Sequence, residues 1–316
     1  MNRCLYCYQL LTDNEIDFHT ICSKKIFAQP SPPELSYTEV QMEELALQIV
    51  RSRATLTGVQ PKISLALASN KNKKEPSRFT IVGLWGGYIL KPPTHQYPQL
   101  PEVEDLTLHL ASIAKIGVVP HSLIRLKSGK LAYITKRIDR TKNGKIHMED
   151  MCQLTEKLTE DKYHGSYEQI AKTILKYSAI PVLDVVNFFE LVLFSFLTGN
   201  ADMHLKNFSL IRQPGIGPVL SPAYDLVATT LVNPADDEDL ALTLNGKKKK
   251  IRLNDFVAAF NTLKLEPKQQ ENIVRKMEQA KDKWIKFIDI SFLSDDFKEQ
   301  YKQLIQERFS RIATPK

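Results

Sequence analysis

Strand-like and helical patterns of hydrophobic residues occupy different parts of the chain. Short apolar runs bounded by turn residues predict strands at 63–67, 79–82, 88–91, 122–126 and 131–135. One helical pattern, over 102–115, interrupts these runs. Beyond residue 148 the spacing is almost entirely helical, except for a predicted hairpin after Asn207. Strands segregated from helices predict an α+β fold with two lobes, a β-rich N-lobe and a mostly helical C-lobe.

The chain is predicted to contain three segments. Residues 1–30 form an N-terminal segment that carries cysteine and histidine and ends in a proline-rich stretch. We assign residues 36–140 to the N-lobe and residues 141–316 to the helical C-lobe. At the start of the N-lobe, Ser36-Tyr-Thr-Glu39 predicts a capping box ahead of a helix.

The composition is that of a globular protein with a sizeable core. The 316 residues are 43% hydrophobic and 25% charged, which argues against a disordered chain. The most apolar run, Val185 to Leu197, is too short to cross a bilayer and contains Asn187 and Glu190, so a buried helix is expected. Nothing at the N-terminus resembles a signal peptide. We therefore expect a cytoplasmic protein with no membrane partner.

The net charge of +7 leaves a nucleic-acid partner open as an interpretation, although the basic residues are scattered. The dense run Lys247–Lys250 follows Asn245-Gly246 and is interpreted first as a solvated hairpin tip. Attraction to the phosphates of a nucleotide or an RNA, or to an acidic partner, is the alternative.

Four residues of the N-terminal segment have the spacing of metal ligands. Cys4, Cys7, His19 and Cys22 follow the pattern C-x2-C-x11-H-x2-C, while Cys152 stands alone. Two close pairs of soft ligands are what tetrahedral Zn²⁺ requires, and ordinary reduced thiols beside a buried histidine are the alternative. Four protein ligands leave no open position for a substrate, so a bound Zn²⁺ would be structural.

Three polar residues of the C-lobe have the order and types that phosphoryl transfer needs. Asp202 precedes Asn207 in one predicted loop, and Asp225 follows the predicted hairpin. A carboxylate can accept the hydroxyl proton, while an amide oxygen and a second carboxylate can hold a metal ion. Protein kinases use a base, a metal-binding Asn and a metal-binding Asp in this order.

The N-lobe supplies candidates for nucleotide binding. Lys91 ends a predicted strand, and the helix that follows begins with Glu102 and Glu104, either of which could pair with it and aim it at phosphates. A solvated strand-end lysine and ordinary first-turn acids are the alternatives. Upstream, residues 55–62 (Thr-Leu-Thr-Gly-Val-Gln-Pro-Lys) contain one glycine ahead of a strand, which is a weak phosphate-loop pattern on its own.

Several blocks, in this order, resemble the HipA-like serine/threonine kinase toxins. They are Thr57-Gly-Val-Gln-Pro-Lys62, Ile89-Leu-Lys-Pro92, Glu149-Asp-Met-Cys-Gln153, residues 199–209 with Asp-Met-His-Leu-Lys-Asn-Phe-Ser, and Pro222-Ala-Tyr-Asp225. The resemblance runs from about residue 50 to the C-terminus and implies a protein-kinase-like fold. Because little precedes the Gly-rich loop, the chain is most similar to the compact HipT kinases of three-gene HipBST toxin–antitoxin systems.

The resemblance also implies roles for individual residues. Asp202 would be the general base for a Ser or Thr hydroxyl, Asn207 and Asp225 would hold Mg²⁺, and His204 would order the loop. The implied ATP-binding residues are Thr55, Thr57, Gly58, Gln60, Lys62, Lys91, Glu104, Lys136 and Ile138. Lys136 and Ile138 lie in the implied adenine hinge at 135–138. Glu102 is the alternative to Glu104 as the helix glutamate that pairs with Lys91. Thr55 and Thr57 stand where the family autophosphorylates serines, which expels ATP.

The partners implied by the resemblance are a protein substrate, a separate small antitoxin and a HipB-like DNA-binding protein. The implied substrate class is an aminoacyl-tRNA synthetase, with tryptophanyl-tRNA synthetase favoured. The chain would contact nucleic acid only indirectly, through the DNA-binding partner. Two other functions stay open from the residues. One is a small-molecule kinase of the aminoglycoside-phosphotransferase sort, and the other is a basic nucleic-acid-binding regulator that uses the Cys/His segment.

Overall fold

The backbone of the chain forms two compact units in the structure, which is a computed structural model describing residues 2–42, 44–45, 62–67, 77–82, 86–141 and 143–313. Unit 1 comprises Met1–Asp105, Val119–Ile138 and Ile290–Phe292. Unit 2 comprises Leu106–Val118, Asp139–Asp289 and Leu293–Lys316. The mixed α+β class is confirmed, while the predicted segment boundaries at residues 30, 36 and 140 stay predictions.

A five-stranded antiparallel sheet forms the centre of unit 1. Its strands run in the order β2-β1-β3-β5-β4 and are β1 (Ile63–Leu67), β2 (Phe79–Ile81), β3 (Tyr88–Lys91), β4 (His121–Arg125) and β5 (Leu131–Lys136). All five agree with the predicted strands to within one residue at their ends. β3 pairs with β1 on one side and β5 on the other, with Lys91 opposite Tyr133. Lys91 therefore lies on an interior strand and not on an edge of the sheet.

The helices of unit 1 are α1 (Thr20–Phe27), helical residues at 39–42 and 44–45, and the first part of α2 (Leu100–Ile113). The predicted capping box at Ser36 and Glu39 is wrong. The Thr38 N–H donates to Gln41 Oε1 at 2.9 Å and the Gln41 N–H donates to Thr38 Oγ1 at 3.4 Å. Gln41 stands three residues after Thr38, so these two reciprocate, whereas Glu39 forms an ion pair with Lys130 at 2.8 Å.

Aromatic side chains pack α1 against the sheet of unit 1. The ring centroid of Phe27 lies 5.9 Å from that of Phe79 and 6.2 Å from that of Tyr88. The Tyr88 hydroxyl donates to the carbonyl of Ile26 at 3.0 Å, which satisfies a polar group beside the buried rings. The Cys/His segment is thus part of the core of unit 1.

Unit 2 combines helices with small sheets. β8 (Met148–Asp150), β9 (Ser209–Gln213) and β10 (Gly217–Leu220) form a three-stranded sheet in the order β10-β9-β8, and β6 (Arg140–Thr141) pairs with β7 (Gly144–Lys145). The hairpin predicted after Asn207 is confirmed as β9–β10, whereas β8 is not predicted by the pattern. The second part of α2, Leu106–Ile113, belongs to unit 2. The further helices are α3 (Met151–Leu154), α4 (Tyr167–Tyr177), α5 (Pro181–Leu197), α6 (Thr229–Val232), α7 (Leu253–Thr262), α8 (Pro267–Asp289) and α9 (Asp295–Ile312).

The central helix of unit 2 is α5. It begins with Pro181 at its first position, where the missing N–H costs no hydrogen bond, and it is apolar on nearly every face. Phe188, Phe194 and Phe196 are fully buried, and the ring of Phe194 packs edge-on against Trp284 at 5.4 Å. The buried helix predicted over Val185–Leu197 is confirmed. Among the described helices, none has both the length and the apolarity that crossing a bilayer would require.

The lysine run at 247–250 lies next to acidic side chains of its own unit. Lys247 Nζ is 2.7 Å from Asp255 Oδ1, Lys248 pairs with Glu238 at 3.4 Å, and Lys249 pairs with Asp237 at 2.5 Å. The turn is closed by bonds between Leu244 and Lys247. Three of the four lysines therefore have carboxylate partners, which reduces the local positive charge that a polyanion would meet.

Candidate functional site

The loop that joins α5 to β9 carries the Asp–Asn pair that the sequence singles out. After α5 ends at Leu197, Gly199 takes a left-handed conformation with a φ of 68°. A Cβ built on Gly199 would lie only 2.6 Å from Leu304 Cδ2. Glycine is the residue that tolerates both the backbone angle and the close approach, so the chain can turn sharply at the end of a buried helix.

Asp202 is the candidate proton acceptor of this loop. Its Oδ1 accepts a 2.6 Å hydrogen bond from the Tyr163 hydroxyl, and its main-chain N–H donates to Asn200 Oδ1 at 3.2 Å. Burial, together with the nearby Asp202 carboxylate, raises the pKa of Tyr163, so the phenol stays protonated and donates. A carboxylate has about four lone-pair positions, so one phenol leaves Asp202 able to accept a further proton donor.

Asn207 is bonded directly to the residue of the candidate base. Its Nδ2 donates to the main-chain carbonyl of Asp202 at 2.9 Å, and its own N–H donates to the carbonyl of His204 at 3.0 Å. Because Nδ2 makes this bond, Oδ1 is the end of the amide that could bind a cation. The five-residue spacing in the sequence thus corresponds to a closed turn.

Asp225 has an unusual backbone conformation. Its φ is 59°, in the left-handed region that few residues other than Gly, Asn and Asp adopt, and such strain concentrates at functional sites. The preceding residue ties this segment to the loop of Asp202, because the Tyr224 hydroxyl donates to the carbonyl of Lys206 at 3.0 Å. On its other side, the Ala223 N–H donates to the carbonyl of Gly117 at 2.8 Å. The Asp225 segment is therefore attached to the Asp202–Asn207 turn within unit 2.

His204 is buried inside the same loop. Burial lowers the pKa of its imidazole, which favours the neutral form at neutral pH. The main-chain N–H of His204 donates to the carbonyl of Asp202 at 2.8 Å, and the imidazole ring packs edge-on against the Tyr163 ring, with the centroids 5.0 Å apart. These contacts fit the loop-ordering role predicted for His204, which stays a prediction.

A lysine and an aspartate from two of the sequence blocks meet beside the loop. Lys206 Nζ lies 2.7 Å from Asp150 Oδ2. Asp150 is also the N-cap of α3, where it accepts from the Gln153 N–H in a reciprocal capping box. This ion pair holds the Lys206 side chain to β8 and α3, so it is a positioning contact for the loop.

In unit 1 the structure brings Lys91 and Glu104 together. Lys91 Nζ lies 2.6 Å from Glu104 Oε1, and the two side chains are 5% and 0% exposed. Lys91 Nζ also lies 5.5 Å from the centroid of the Tyr133 ring. The pair is thus a buried, hydrogen-bonded contact between an interior strand and α2, and the interpretation of Lys91 as a solvated edge residue is wrong.

Glu102, the alternative partner for Lys91, lies in a different environment. Burial, with a smaller contribution from the Asp105 charge, raises the pKa of the Glu102 carboxyl to about 7. Two residues along a helix correspond to nearly opposite faces, so Glu102 and Glu104 cannot serve the same partner. Glu104 is the residue that pairs with Lys91.

The other predicted nucleotide-binding residues are only partly described. Thr55, Thr57, Gly58 and Gln60 lie outside the described residues, and Lys62 is exposed immediately before β1. In the predicted hinge, the Lys136 N–H donates to the carbonyl of Pro120 and the Arg137 N–H to that of Gly87, both at 2.9 Å. The Lys136 side chain is exposed. Ile138 is half-buried and is the last residue of the Val119–Ile138 part of unit 1. Their adenine-binding role stays a prediction.

The predicted metal ligands of the N-terminal segment also converge. One ligand atom from each of Cys4, Cys7, His19 and Cys22 lies within 4.8 Å of the others. Cys152 belongs to α3 in unit 2 and is buried as a free thiol.

Sequence reasoning missed several residues that hold the loop. Three of them, Lys206, Asp150 and Tyr224, lie inside blocks that resemble the kinase family. Their polar side chains could therefore have been proposed from the sequence as contacts of the loop. Tyr163 stands 39 residues before Asp202 and belongs to no motif. Only the folded chain reveals that its hydroxyl contacts the carboxylate.

Comparison with known proteins identifies relatives of this chain. The family described as the HipA-like C-terminal domain matches residues 54–284. A provisionally named kinase of Sinorhizobium fredii is 34% identical over 235 residues, which cover 70% of this chain and 54% of the relative. The serine/threonine-protein kinase toxin HipA of Shewanella oneidensis is 27% identical over 216 residues, which cover 62% and 47%. The chain thus spans about half the length of the curated relatives it matches.

Solved structures show the fold. The HipA chain in a complex of Shewanella oneidensis HipA, HipB and operator DNA matches with a TM-score of 0.68 at 22% identity, covering 89% of this chain and 72% of that one. The Helicobacter pylori proinflammatory kinase CtkA matches with a TM-score of 0.52 at 18% identity, covering 71% and 87%. The kinase-like α+β fold expected from the resemblance is therefore confirmed.

The family match covers well over half of the chain and includes every block, from Thr57 to Asp225, on which the resemblance depends. This chain belongs to the HipA-like C-terminal domain family.

Proposed function

We propose that the chain is an ATP- and Mg²⁺-dependent protein serine/threonine kinase that acts as a toxin of a HipBST-type toxin–antitoxin system. The observation that carries the proposal is the closed turn in which Asn207 Nδ2 bonds to the Asp202 carbonyl, with the Asp225 segment attached through Tyr224. A base, an amide oxygen and a second carboxylate on one connected backbone are the groups that phosphoryl transfer uses.

The donor chemistry in unit 2 fits Mg²⁺. The Asn207 amide oxygen and the Asp225 carboxylate are hard oxygen ligands, which Mg²⁺ prefers. The φ of 59° at Asp225 is a strained backbone conformation of the kind found where a side chain is held in place for a function such as metal binding. When bound, Mg²⁺ neutralises charge on the phosphates of ATP.

In the proposed reaction, the hydroxyl oxygen of a Ser or Thr attacks the γ-phosphorus of ATP. A new oxygen–phosphorus bond forms, the bond from the γ-phosphorus to the β,γ-bridging oxygen breaks, and ADP leaves. Asp202 accepts the hydroxyl proton at the carboxylate, which Tyr163 holds through Oδ1. In unit 1, Lys91 supplies a cation for the nucleotide phosphates, and Glu104 fixes its position.

The proposed physiological substrate is an aminoacyl-tRNA synthetase, with tryptophanyl-tRNA synthetase favoured, and the proposed regulators are a separate small antitoxin and a HipB-like DNA-binding protein. The family assignment supports this proposal, as does the complex of the Shewanella relative with HipB and operator DNA. Autophosphorylation at Thr55 or Thr57 would add nearly two negative charges in the loop expected to meet ATP phosphates, and so would silence the kinase.

The function is tested by incubating purified chain with γ-labelled ATP and Mg²⁺ in a lysate cleared of endogenous kinases, followed by phosphopeptide mapping. The proposal predicts label on Ser or Thr of a synthetase and on the chain itself, and label reduced by about 10²-fold or more with the Asp202→Asn variant. Label transferred only to small hydroxyl acceptors would instead identify a small-molecule kinase. Nucleic-acid binding that survives Asp202→Asn, without any transfer, would identify a regulator, although the carboxylates beside Lys247–Lys249 argue against it.

A further inference from the structure

The N-terminal Cys/His cluster of unit 1 is a second site, independent of the phosphotransfer residues. One ligand atom from each of its four side chains, Cys4, Cys7, His19 and Cys22, lies within 4.8 Å of the others. The three cysteines are free thiols. We propose that this cluster binds one Zn²⁺ ion and that the ion joins the Cys4–Cys7 turn to α1, next to the residues that bond to the sheet and α2 of unit 1.

Two distances inside the cluster match those of a tetrahedral zinc site. His19 Nδ1 lies 3.4 Å from Cys7 Sγ and 3.7 Å from Cys22 Sγ. Zinc–sulfur bonds of about 2.3 Å and zinc–nitrogen bonds of about 2.0 Å, at a tetrahedral angle, separate nitrogen from sulfur by about 3.5 Å. The two separations lie on either side of this value, so the positions of His19, Cys7 and Cys22 suit a shared Zn²⁺ ion.

The surroundings of His19 favour the tautomer that a metal ligand needs. His19 Nε2 lies 3.0 Å from the carbonyl oxygen of Leu10, which can only accept, so Nε2 carries the proton and donates. Nδ1 then keeps its lone pair, and Nδ1 is the atom that faces the cysteine sulfurs. A backbone carbonyl that orients the second nitrogen is a common partner of zinc-binding histidines.

The local backbone delivers the four ligands as two pairs. Cys4 and Cys7 lie on a turn closed by the Tyr8 N–H, which donates to the carbonyl of Cys4 at 2.9 Å. His19 is the N-cap of α1, and Cys22 lies in the first turn of that helix. A single ion would therefore join a turn to a helix that are otherwise separated by eleven residues of loop.

The cluster is bonded to the part of unit 1 that holds Glu104. The Tyr8 hydroxyl, one residue after Cys7, donates to Asp105 Oδ2 at 2.7 Å, and Asp105 is the neighbour of Glu104 on α2. The carbonyl of Leu5 accepts from the Leu123 N–H of β4 at 3.2 Å. Zinc bound at the cluster would thus fix the contacts that brace the first turns of α2.

The charge balance of the site follows from its ligands. Binding Zn²⁺ as thiolates releases the three thiol protons, and three thiolates with a neutral imidazole leave a net charge of −1. Occupancy should therefore fall as the pH falls. The family match begins at residue 54, so the cluster lies outside the part shared with the HipA-like domain.

The proposal is tested on the full chain, purified under reducing conditions with zinc in the growth medium, by elemental analysis. We expect about one zinc per chain, released by a mercurial reagent that captures thiolates. Cys7→Ser and Cys22→Ser should each lower the zinc content several-fold, whereas the control Cys152→Ser should keep it. Because loss of a ligand could unfold the segment, His19→Cys provides a second variant, which should retain zinc as a four-cysteine site.

Cobalt gives an independent spectroscopic measurement. The chain loaded with Co²⁺ in place of zinc should show the intense visible absorption of tetrahedral cobalt together with a thiolate charge-transfer band, and Cys152→Ser should show the same spectrum. A wild-type chain that holds neither zinc nor tetrahedral cobalt after reduction would overturn the proposal, as would zinc content that is unchanged in Cys7→Ser and Cys22→Ser. These readouts do not require catalysis, so a zinc-loaded chain without kinase activity would remove the proposed function and leave the zinc site.

Discussion

The two units hold their ionisable site residues in different ways. In unit 1, Lys91 and Glu104 are almost completely buried and each is the counter-ion of the other at 2.6 Å. In unit 2, Asp202 and Asp225 are only half-buried, and the bonds that order their loops come largely from the backbone, from Asn207 and from Tyr224. Removing one partner of a buried pair leaves an uncompensated charge, whereas neutralising a half-exposed carboxylate does not. The comparison therefore predicts that activity and stability change together in unit 1 and separately in unit 2.

The largest expected effect is that of Asp225→Asn. Asparagine tolerates the left-handed φ of 59°, so the backbone should be kept, while the charge that holds a metal ion is lost. Metal stabilisation is worth several kcal/mol, so phosphoryl transfer should fall about 10³-fold or more, with an unchanged melting temperature. The control Asp295→Asn, at an exposed position in the first turn of α9, should keep full activity. Substantial transfer by Asp225→Asn at any Mg²⁺ concentration would contradict the metal assignment.

Lys91→Met should reduce both activity and stability. Breaking a buried pair costs about 3–5 kcal/mol, so the free energy of unfolding in urea should fall by about that amount, and the affinity for ATP should fall as well. Lys145→Met, at an exposed position of β7, is the matched control and should change neither.

The double variant Lys91→Met/Glu104→Leu sharpens this prediction. With both charges removed, much of the lost stability should return while phosphoryl transfer stays low. Recovery of activity along with stability would mean that the pair is purely structural.

Tyr163→Phe removes one hydrogen bond to the candidate base without changing the shape of the ring. A hydrogen bond to a charged group contributes about 1.5–3 kcal/mol, so kcat should fall by about tenfold while the KM for ATP stays unchanged. Tyr177→Phe is the matched control, since Tyr177 is 40% exposed and Tyr163 is 39% exposed. If kcat were unaltered in Tyr163→Phe, the 2.6 Å contact with Asp202 would have no role in positioning the carboxylate.

Glu102→Gln should change stability in a pH-dependent manner and leave catalysis intact. The pKa of Glu102 is about 7 in the folded chain and 4.5 ordinarily, so between these values only the folded chain keeps the proton and its stability falls as the pH rises. Glutamine does not titrate, so the variant does not lose stability as the pH rises. Its free energy of unfolding should exceed that of the wild type by at most about 3 kcal/mol at pH 8 and match it below pH 4.5. Glu307→Gln, at an exposed position of α9, should show no such difference.

Local patterns predicted the parts of the site that are close in sequence. The Asp202–Asn207 turn spans five residues, and the hairpin after it was evident from its turn residues. The close approach of Cys4, Cys7, His19 and Cys22 was likewise predicted from two short spacings. In each of these cases the contact is closed by a short stretch of chain, so the sequence restricts the geometry strongly.

Contacts between distant residues could not be predicted in the same way. Both Glu102 and Glu104 lie near the start of α2, and the choice between them depends on which face of the helix meets β3. Tyr163 reaches Asp202 across 39 residues without a motif. The capping box was misplaced because Ser36 and Thr38 both suit an N-cap, and only the hydrogen bonds to Gln41 distinguish them.

We propose Asp202 as the base for phosphoryl transfer, and Asp202→Asn removes the charge that this role requires. Asparagine keeps an oxygen that can accept from Tyr163, so the loop should stay ordered and ATP should bind with an affinity within about twofold of wild type, measured by calorimetry. Transfer of labelled phosphate to a Ser or Thr acceptor should fall by about 10²–10⁴-fold, the usual contribution of a general base. Transfer within about tenfold of wild type, at unchanged ATP affinity, would contradict the account.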